Sequence, residues 1–171
     1  MSYGILLLRL VVGVAFVGHG TQKLFGWFGG YGPEGTGGFF ASKGYRAPVL
    51  MAVAAGLAEA GGGTLLALGF ATPLAAALLA TVMINAIASV TLKKGFMLGS
   101  EIEITYLTIA VSLAAIGPGR FSIDRAIGWD DNISGVWWGV AALGVALVAS
   151  SLTLTLGRSR SVEQQEPAAQ V

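Results

Sequence analysis

The chain has 171 residues, 54% of them apolar and 11% charged, with a net charge of +1 and a mean hydropathy of +0.74. Soluble domains carry about 25% charged residues, so this composition excludes an ordinary soluble enzyme and fits a chain whose outer surface faces lipid; a net charge so near zero leaves no footprint for nucleic acid. With no cysteine and one histidine, His19, the chain has no thiol redox pair and no Cys- or His-rich metal site, and no metal is expected.

Crossing a hydrocarbon core of about 30 Å takes roughly 20 apolar residues. Five segments come close to this, and the length allows one domain. The prediction is an all-α fold, a polytopic transmembrane helix bundle. The first span, about residues 4–24, carries Arg9 within its apolar run and has neither a basic leader nor an A-x-A pattern. It reads as a spanning helix and not as a cleaved signal. Residues 26–38 are glycine-rich but lack the GK[ST] ending of a phosphate-binding loop, and are expected to form a mobile or membrane-surface loop. The second span, about 48–68, places Ala52, Gly56 and Ala60 four apart, which lets helix backbones approach closely. A tight turn follows, with Thr72 as the expected N-cap and Pro73 at the first helical position. The third span covers about 73–92. The fourth, about 101–116, is short unless Met97 and Leu98 extend it, and Gly117-Pro118-Gly119 ends it. The fifth, about 136–156, repeats the small-residue spacing with Ala142, Ala146 and Ser150. Residues 157–171 are expected to be a disordered polar tail. No internal repeat stands out, no G-x-S-x-G surrounds a serine, and no catalytic residue is nominated.

With five spans, Lys23, Lys43, Arg46, Lys93, Lys94, Arg158 and Arg160 fall on one side of the bilayer and Arg9, Arg120 and Arg125 on the other. The positive-inside rule then predicts a multi-pass protein of the plasma membrane with its N-terminus outside and its C-terminus cytoplasmic. Trp27, Trp129, Trp137 and Trp138 flank the spans, where indole rings settle at headgroup depth.

Charged and polar groups inside apolar spans cost roughly 2.5–3.5 kcal/mol even on the mildest scale, so they face the bundle and find partners. Along the first span, at about 100° per residue, Arg9, Gly13, Phe16, Gly20 and Lys23 share one stripe, with His19 at its border. That stripe should face protein. Glu59 lies near the middle of the second span, and an ion pair or water-linked pair between Arg9 and Glu59 is expected. Because consecutive helices alternate in direction, His19, Gln22, Lys23, Asn85, Glu101 and Glu103 should lie at similar depth. They form a candidate polar cluster for a headgroup-like ligand or for proton movement. Glu101 and Glu103 are two apart, so only one is expected to point inward. The same residues also read as an interfacial anchor with a snorkelling Lys23.

Four blocks of sequence resemble the DoxX family. They are Leu8-Arg9-Leu10 through His19-Gly20-Thr21-Gln22-Lys23-Leu24-Phe25-Gly26, the stretch Gly35-Thr36-Gly37-Gly38-Phe39-Phe40-Ala41-Ser42-Lys43-Gly44, Gly56-Leu57-Ala58-Glu59-Ala60-Gly61-Gly62, and Gly117-Pro118-Gly119-Arg120-Phe121-Ser122-Ile123-Asp124. The resemblance implies a four-helix membrane core over residues 1–125, a connecting loop and added transmembrane helix over 126–156, and the tail beyond. The recurrent family positions fall on Arg9, His19, Gln22, Lys23, Glu59, Glu101 and Arg120. Many members carry a histidine shortly after the third span, where this chain has Thr91 and Lys93, so a two-histidine mechanism is not implied here. The resemblance also implies a membrane subunit or anchor of a quinone-linked or detoxifying oxidoreductase system, with quinone as the possible cofactor and a soluble redox enzyme as the possible partner. The residues alone leave open a non-catalytic scaffold for soluble enzymes, a small permease or proton-linked transporter, and a homo-oligomer.

Overall fold

The computed structural model describes residues 2–92 and 95–159. All of its regular elements among these residues are helical, apart from one isolated bridge. Helix α1 (Ser2–Phe25) ends at Gly26, and a single tight turn, Trp27–Gly29, leads to the short helix α2 (Gly32–Ser42). Then come α3 (Pro48–Leu68), α4 (Thr72–Ala86), α5 (Glu101–Ile116), the one-turn α6 (Ile123–Ala126) and α7 (Val136–Leu156). Helix α4 runs on through a wider π turn, Ile87–Thr91, and another, Phe96–Ser100, leads into α5.

Among the described residues, four helical stretches are long and apolar enough to cross a membrane: Ser2–Phe25, Pro48–Leu68, Thr72–Thr91 and Val136–Leu156. Helix α5, at 16 residues, is shorter than these. The expected extension through residue 97 takes the form of a π turn, because Ser100 leaves helical geometry at φ −103°, ψ 8°. In the middle of α1 the exposed side chains, Leu7, Leu8, Leu10, Val11 and Val14, are aliphatic, as a lipid-facing surface requires. Trp27, Trp129 and Trp137 are exposed at helix ends.

The glycine-rich stretch departs from expectation. It becomes helical from Gly32, because Pro33 presets the first turn and Glu34 meets the positive end of the helix dipole. Its glycines let α2 lie against α3: a Cβ on Gly37 would sit 2.8 Å from Val49 Cγ2. The tail departs as well. Residues 157–159 pair with residues 44–46 through Arg46 N–H to Gly157 O and Ser159 N–H to Gly44 O, both 2.8 Å. The remainder of the tail, residues 160–171, lies outside the described residues, as do Lys93 and Lys94.

Helix α1 packs antiparallel on α3 at backbone contact. A Cβ on Gly13 would lie 2.6 Å from Gly63 O, and one on Gly20 would lie 2.5 Å from Ala60 N. Helix α4 is the central element. Its Ala75, Ala76, Leu79 and Ala80 have no exposed surface, and it joins Val12 and Phe16 of α1, Leu66 of α3, and Ala110, Leu113 and Ala114 of α5 in one core. Helix α7 packs by the predicted small-residue stripe, Ala142, Ala146 and Ser150, all buried.

One end of the bundle is tied by Arg9, which is 1% exposed. Its guanidinium donates to Leu66 O (3.1 Å), Ala67 O (3.0 Å), Phe121 O (2.8 Å) and Pro118 O. The first two lie at the C-terminus of α3, where a cation also meets the negative end of the helix dipole, and Leu66 O accepts from Gly69 N as well. The opposite charge comes from Asp124, wholly buried and close enough to attract Arg9 electrostatically. Its carboxylate accepts from Ala71 N (2.8 Å), Thr72 N (3.1 Å) and Thr72 Oγ1 (2.9 Å), so it caps α4 from a distant part of the chain. The expected cap, Thr72, is instead a donor inside the first turn. Gly69 closes this knot at φ +63°, with Arg9 Cζ only 2.6 Å from where a Cβ would stand.

Arg9→Met should therefore remove the cation beside the buried Asp124 and the side-chain donor shared by four carbonyls, lowering stability by about 3–5 kcal/mol, read as thermal unfolding in mild detergent. Gly20→Val should abolish monodisperse protein on size-exclusion chromatography. Gly18→Ala, on the same helix with nothing within 4 Å of its Cβ, should leave it unchanged.

Candidate functional site

The other end of the α1–α3 pair carries the chemistry. Antiparallel register sets Ala60 against Gly20, so Glu59 sits at the level of the last two turns of α1. Lys23, one turn beyond Gly20, reaches back to it. The Lys23 Nζ–Glu59 Oε2 distance is 2.5 Å, with Glu59 3% exposed and Lys23 23% exposed. The expected Arg9–Glu59 pair is not formed. Arg9 lies about 16 Å from Gly20 along α1 at about 1.5 Å per residue, well beyond side-chain reach, and its donors are taken by the carbonyls at the opposite end.

The other predicted site residues divide into three groups. His19 Nδ1 lies 3.1 Å from Gln22 Oε1, and Gln22 Nε2 donates to Phe28 O at 3.2 Å, which pins the turn after α1. His19 itself is exposed but within electrostatic reach of Glu59. Asn85 sits on α4, where Nδ2 donates to Thr81 O (2.9 Å) and Ser150 Oγ (3.0 Å), joining α4 to α7. Glu101 and Glu103 open α5, and neither lines the cavity described next. One buried oxygen of Glu103 has no hydrogen-bond partner. Arg120 is exposed, and Thr91, at the position where a histidine was considered, is buried.

Lys23, Glu59 and Asn85 do meet, in the wall of one cavity of about 380 Å³. Its remaining wall is mostly apolar, from Phe39 and Phe40 of α2, Met51, Ala54, Ala55 and Ala58 of α3, and Val82 and Met83 of α4. Small residues on α3 leave the space, and aromatic rings from α2 close it on one side. The further polar groups in the wall are Lys43, Tyr45, Thr81, Ser89 and Thr153. Tyr45 and Ser89 were not anticipated: they hydrogen-bond through their hydroxyls at 2.9 Å, and a single tyrosine in a connection carries no periodic signal. An open groove lined by Gln22, Gly30, Tyr31 and Thr36 adjoins the cavity, and Lys23 and Phe39 belong to both. Lys23 thus stands between a more open, more polar groove and a more enclosed, largely apolar cavity.

The DoxX family model matches residues 4–92, just over half of the chain. The chain belongs to the DoxX family. A Bacillus subtilis (strain 168) protein named "Putative oxidoreductase CatD" is 36% identical over 121 residues, which is 71% of this chain and 84% of that protein. No solved structure matches. The DoxX segment runs from α1 to the π turn after α4, so it holds the Lys23–Glu59 pair and every residue lining the cavity except Thr153. The fourth resembling block, at 117–124, lies beyond it, yet supplies Asp124 and two of the carbonyls that hold Arg9.

Lys23→Met should leave Glu59 buried and unpaired, lowering stability by about 2–4 kcal/mol, the lower side of what breaking a buried pair costs because Lys23 keeps some access to water. The double variant Lys23→Met/Glu59→Gln should recover most of that loss in the same thermal unfolding assay. Equal destabilisation of the single and double variants would show that the pair is not coupled.

Proposed function

We propose that this DoxX protein is the membrane subunit of an oxidoreductase system and that its cavity holds the head of a quinone. The observation that carries this reading is a mostly apolar cavity within a membrane bundle, with a Lys–Glu pair in its wall whose lysine also borders a more open groove. A quinone is a flat apolar ring with carbonyl oxygens that accept hydrogen bonds, and a site for it needs a slot with a few donors. Lys23 is such a donor. Reducing a quinone to a quinol takes two electrons and two protons. Glu59 and Lys23 are the groups that would exchange those protons with the ring oxygens, while the electrons come from a redox partner. The name carried by the Bacillus subtilis relative points in the same redox direction.

The soluble partner would dock on the face that carries the groove. Lys23, Lys43, Arg46 and Arg158 lie at the ends of α1, α2 and α7 and the start of α3, which is one side of the bundle. By the positive-inside rule that side is cytoplasmic, which puts the N-terminus outside and the protein in the plasma membrane.

Solvent extraction of protein purified in mild detergent should release quinone in near-stoichiometric amount. Ala55→Trp, which fills the cavity, and Lys23→Met/Glu59→Gln should each reduce the recovered quinone several-fold. Protein that carries no quinone, and shows no heat on titration with a short-chain quinone, would end this reading.

A further inference from the structure

The end of α7 is fastened to the connection between α2 and α3. Residues 157–159 run antiparallel to 44–46 through the two backbone hydrogen bonds described above, and Arg158 Nε donates to Lys43 O at 3.0 Å. The Arg158 guanidinium lies 5.8 Å from the centre of the Tyr45 ring, a cation–π distance, and the Phe40 ring lies 5.3 Å from Tyr45. Tyr45 is 8% exposed, and its hydroxyl meets Ser89 of the π turn after α4. Tyr45, Ser89, Lys43 and Thr153 all belong to the wall of the cavity that contains Lys23 and Glu59. Tyr45 is held from the DoxX segment by its N–H to Phe40 O (3.2 Å), the Phe40 ring and Ser89, and from outside that segment by the residues that follow α7.

We propose that Tyr45 is a second hydrogen-bonding contact for the cavity's ligand, and that residues 157–159 are a strap that holds Tyr45 in place and closes that side of the cavity. The ligand half of this inference rests on the quinone reading above. A quinone offers two carbonyl oxygens, one to Lys23 and one to a second donor. The Tyr45 hydroxyl can turn its proton from Ser89 Oγ to the ring oxygen, since the serine hydroxyl can itself act as donor to Tyr45 Oη. Arg158 is then a positioning residue that acts through Tyr45, and release of the strap widens access to the cavity from that side.

The chain has no cysteine, so Ala58→Cys places a single thiol in the cavity wall. With Arg158→Met added, its reaction with a small maleimide should speed up several-fold, and Arg158→Lys should restore the slow rate. An unchanged rate overturns the strap, whether or not quinone binds. Calorimetric titration with a short-chain benzoquinone tests the contact. Tyr45→Phe should weaken binding about tenfold, the scale of one hydrogen bond in a buried site. Arg158→Met should weaken it similarly, and the double variant should bind no worse than Tyr45→Phe alone. Full affinity in Tyr45→Phe, or losses that simply add, overturns the role given to Tyr45. Failure of the unmodified protein to bind quinone overturns the functional reading and the ligand contact, while the labelling rates still decide the strap.

Discussion

The backbone contact between α1 and α3 sets what every charge in this bundle can reach. Gly13 against Gly63 and Gly20 against Ala60 leave no room for side chains between the two helices, so neither helix can slide by a turn without collision. Within lipid there is no hydrophobic force pulling helices together, and close backbone packing takes over that role. Once the register is fixed, Arg9 must find partners where α3 ends, and Glu59 must find them where α1 ends.

The two ends then solve the same problem with different chemistry. At the Arg9 end the cation is matched by four carbonyls and by the buried Asp124, which also caps α4. Most of those partners are backbone, held by helix ends and a turn, so the arrangement is rigid and has little capacity to change protonation. At the Lys23 end one carboxylate meets one amine, Lys23 keeps access to an open groove, and a cavity of about 380 Å³ lies alongside. Both partners there are ionisable side chains in direct contact, unlike the backbone carbonyls around Arg9. The first arrangement fixes the fold at one end, and the second is the pair on which the quinone proposal rests.

The cavity owes its volume to the alanines of α3 and its enclosure to α2, the helix that the glycine-rich stretch forms against expectation. The DoxX segment supplies almost the entire wall. Helix α7 adds Thr153 and, through the pairing of residues 157–159, the placement of the connection that carries Tyr45. The addition to the DoxX segment thus completes the wall without contributing its charged pair.

Much of this was legible in the residues. Composition and the lengths of apolar runs determined a helical membrane bundle, because each span must satisfy its own backbone hydrogen bonds and those runs have a fixed minimum length. Small residues four apart marked the packing faces of α3 and α7, and the polar residues within the spans marked which side chains must turn inward. Lys23 and Asn85 of the expected cluster share one cavity wall, whereas His19, Gln22 and Glu101 do not line it; Glu59 pairs with Lys23 and not with Arg9, and Asp124, Tyr45 and Ser89 carry no signal in the sequence. The reason is one of scale. Which face a side chain occupies follows from its own helix, about 100° per residue, whereas which partner it meets depends on the axial register between two helices. That register is decided by backbone contacts such as Gly20 on Ala60, and loop residues such as Asp124 and Tyr45 have no period to read. The sequence by itself determined the class of fold and the inward-facing charges; only the tertiary structure decided their pairing, because a shift of one helical turn, about 5.4 Å, is enough to change every partner.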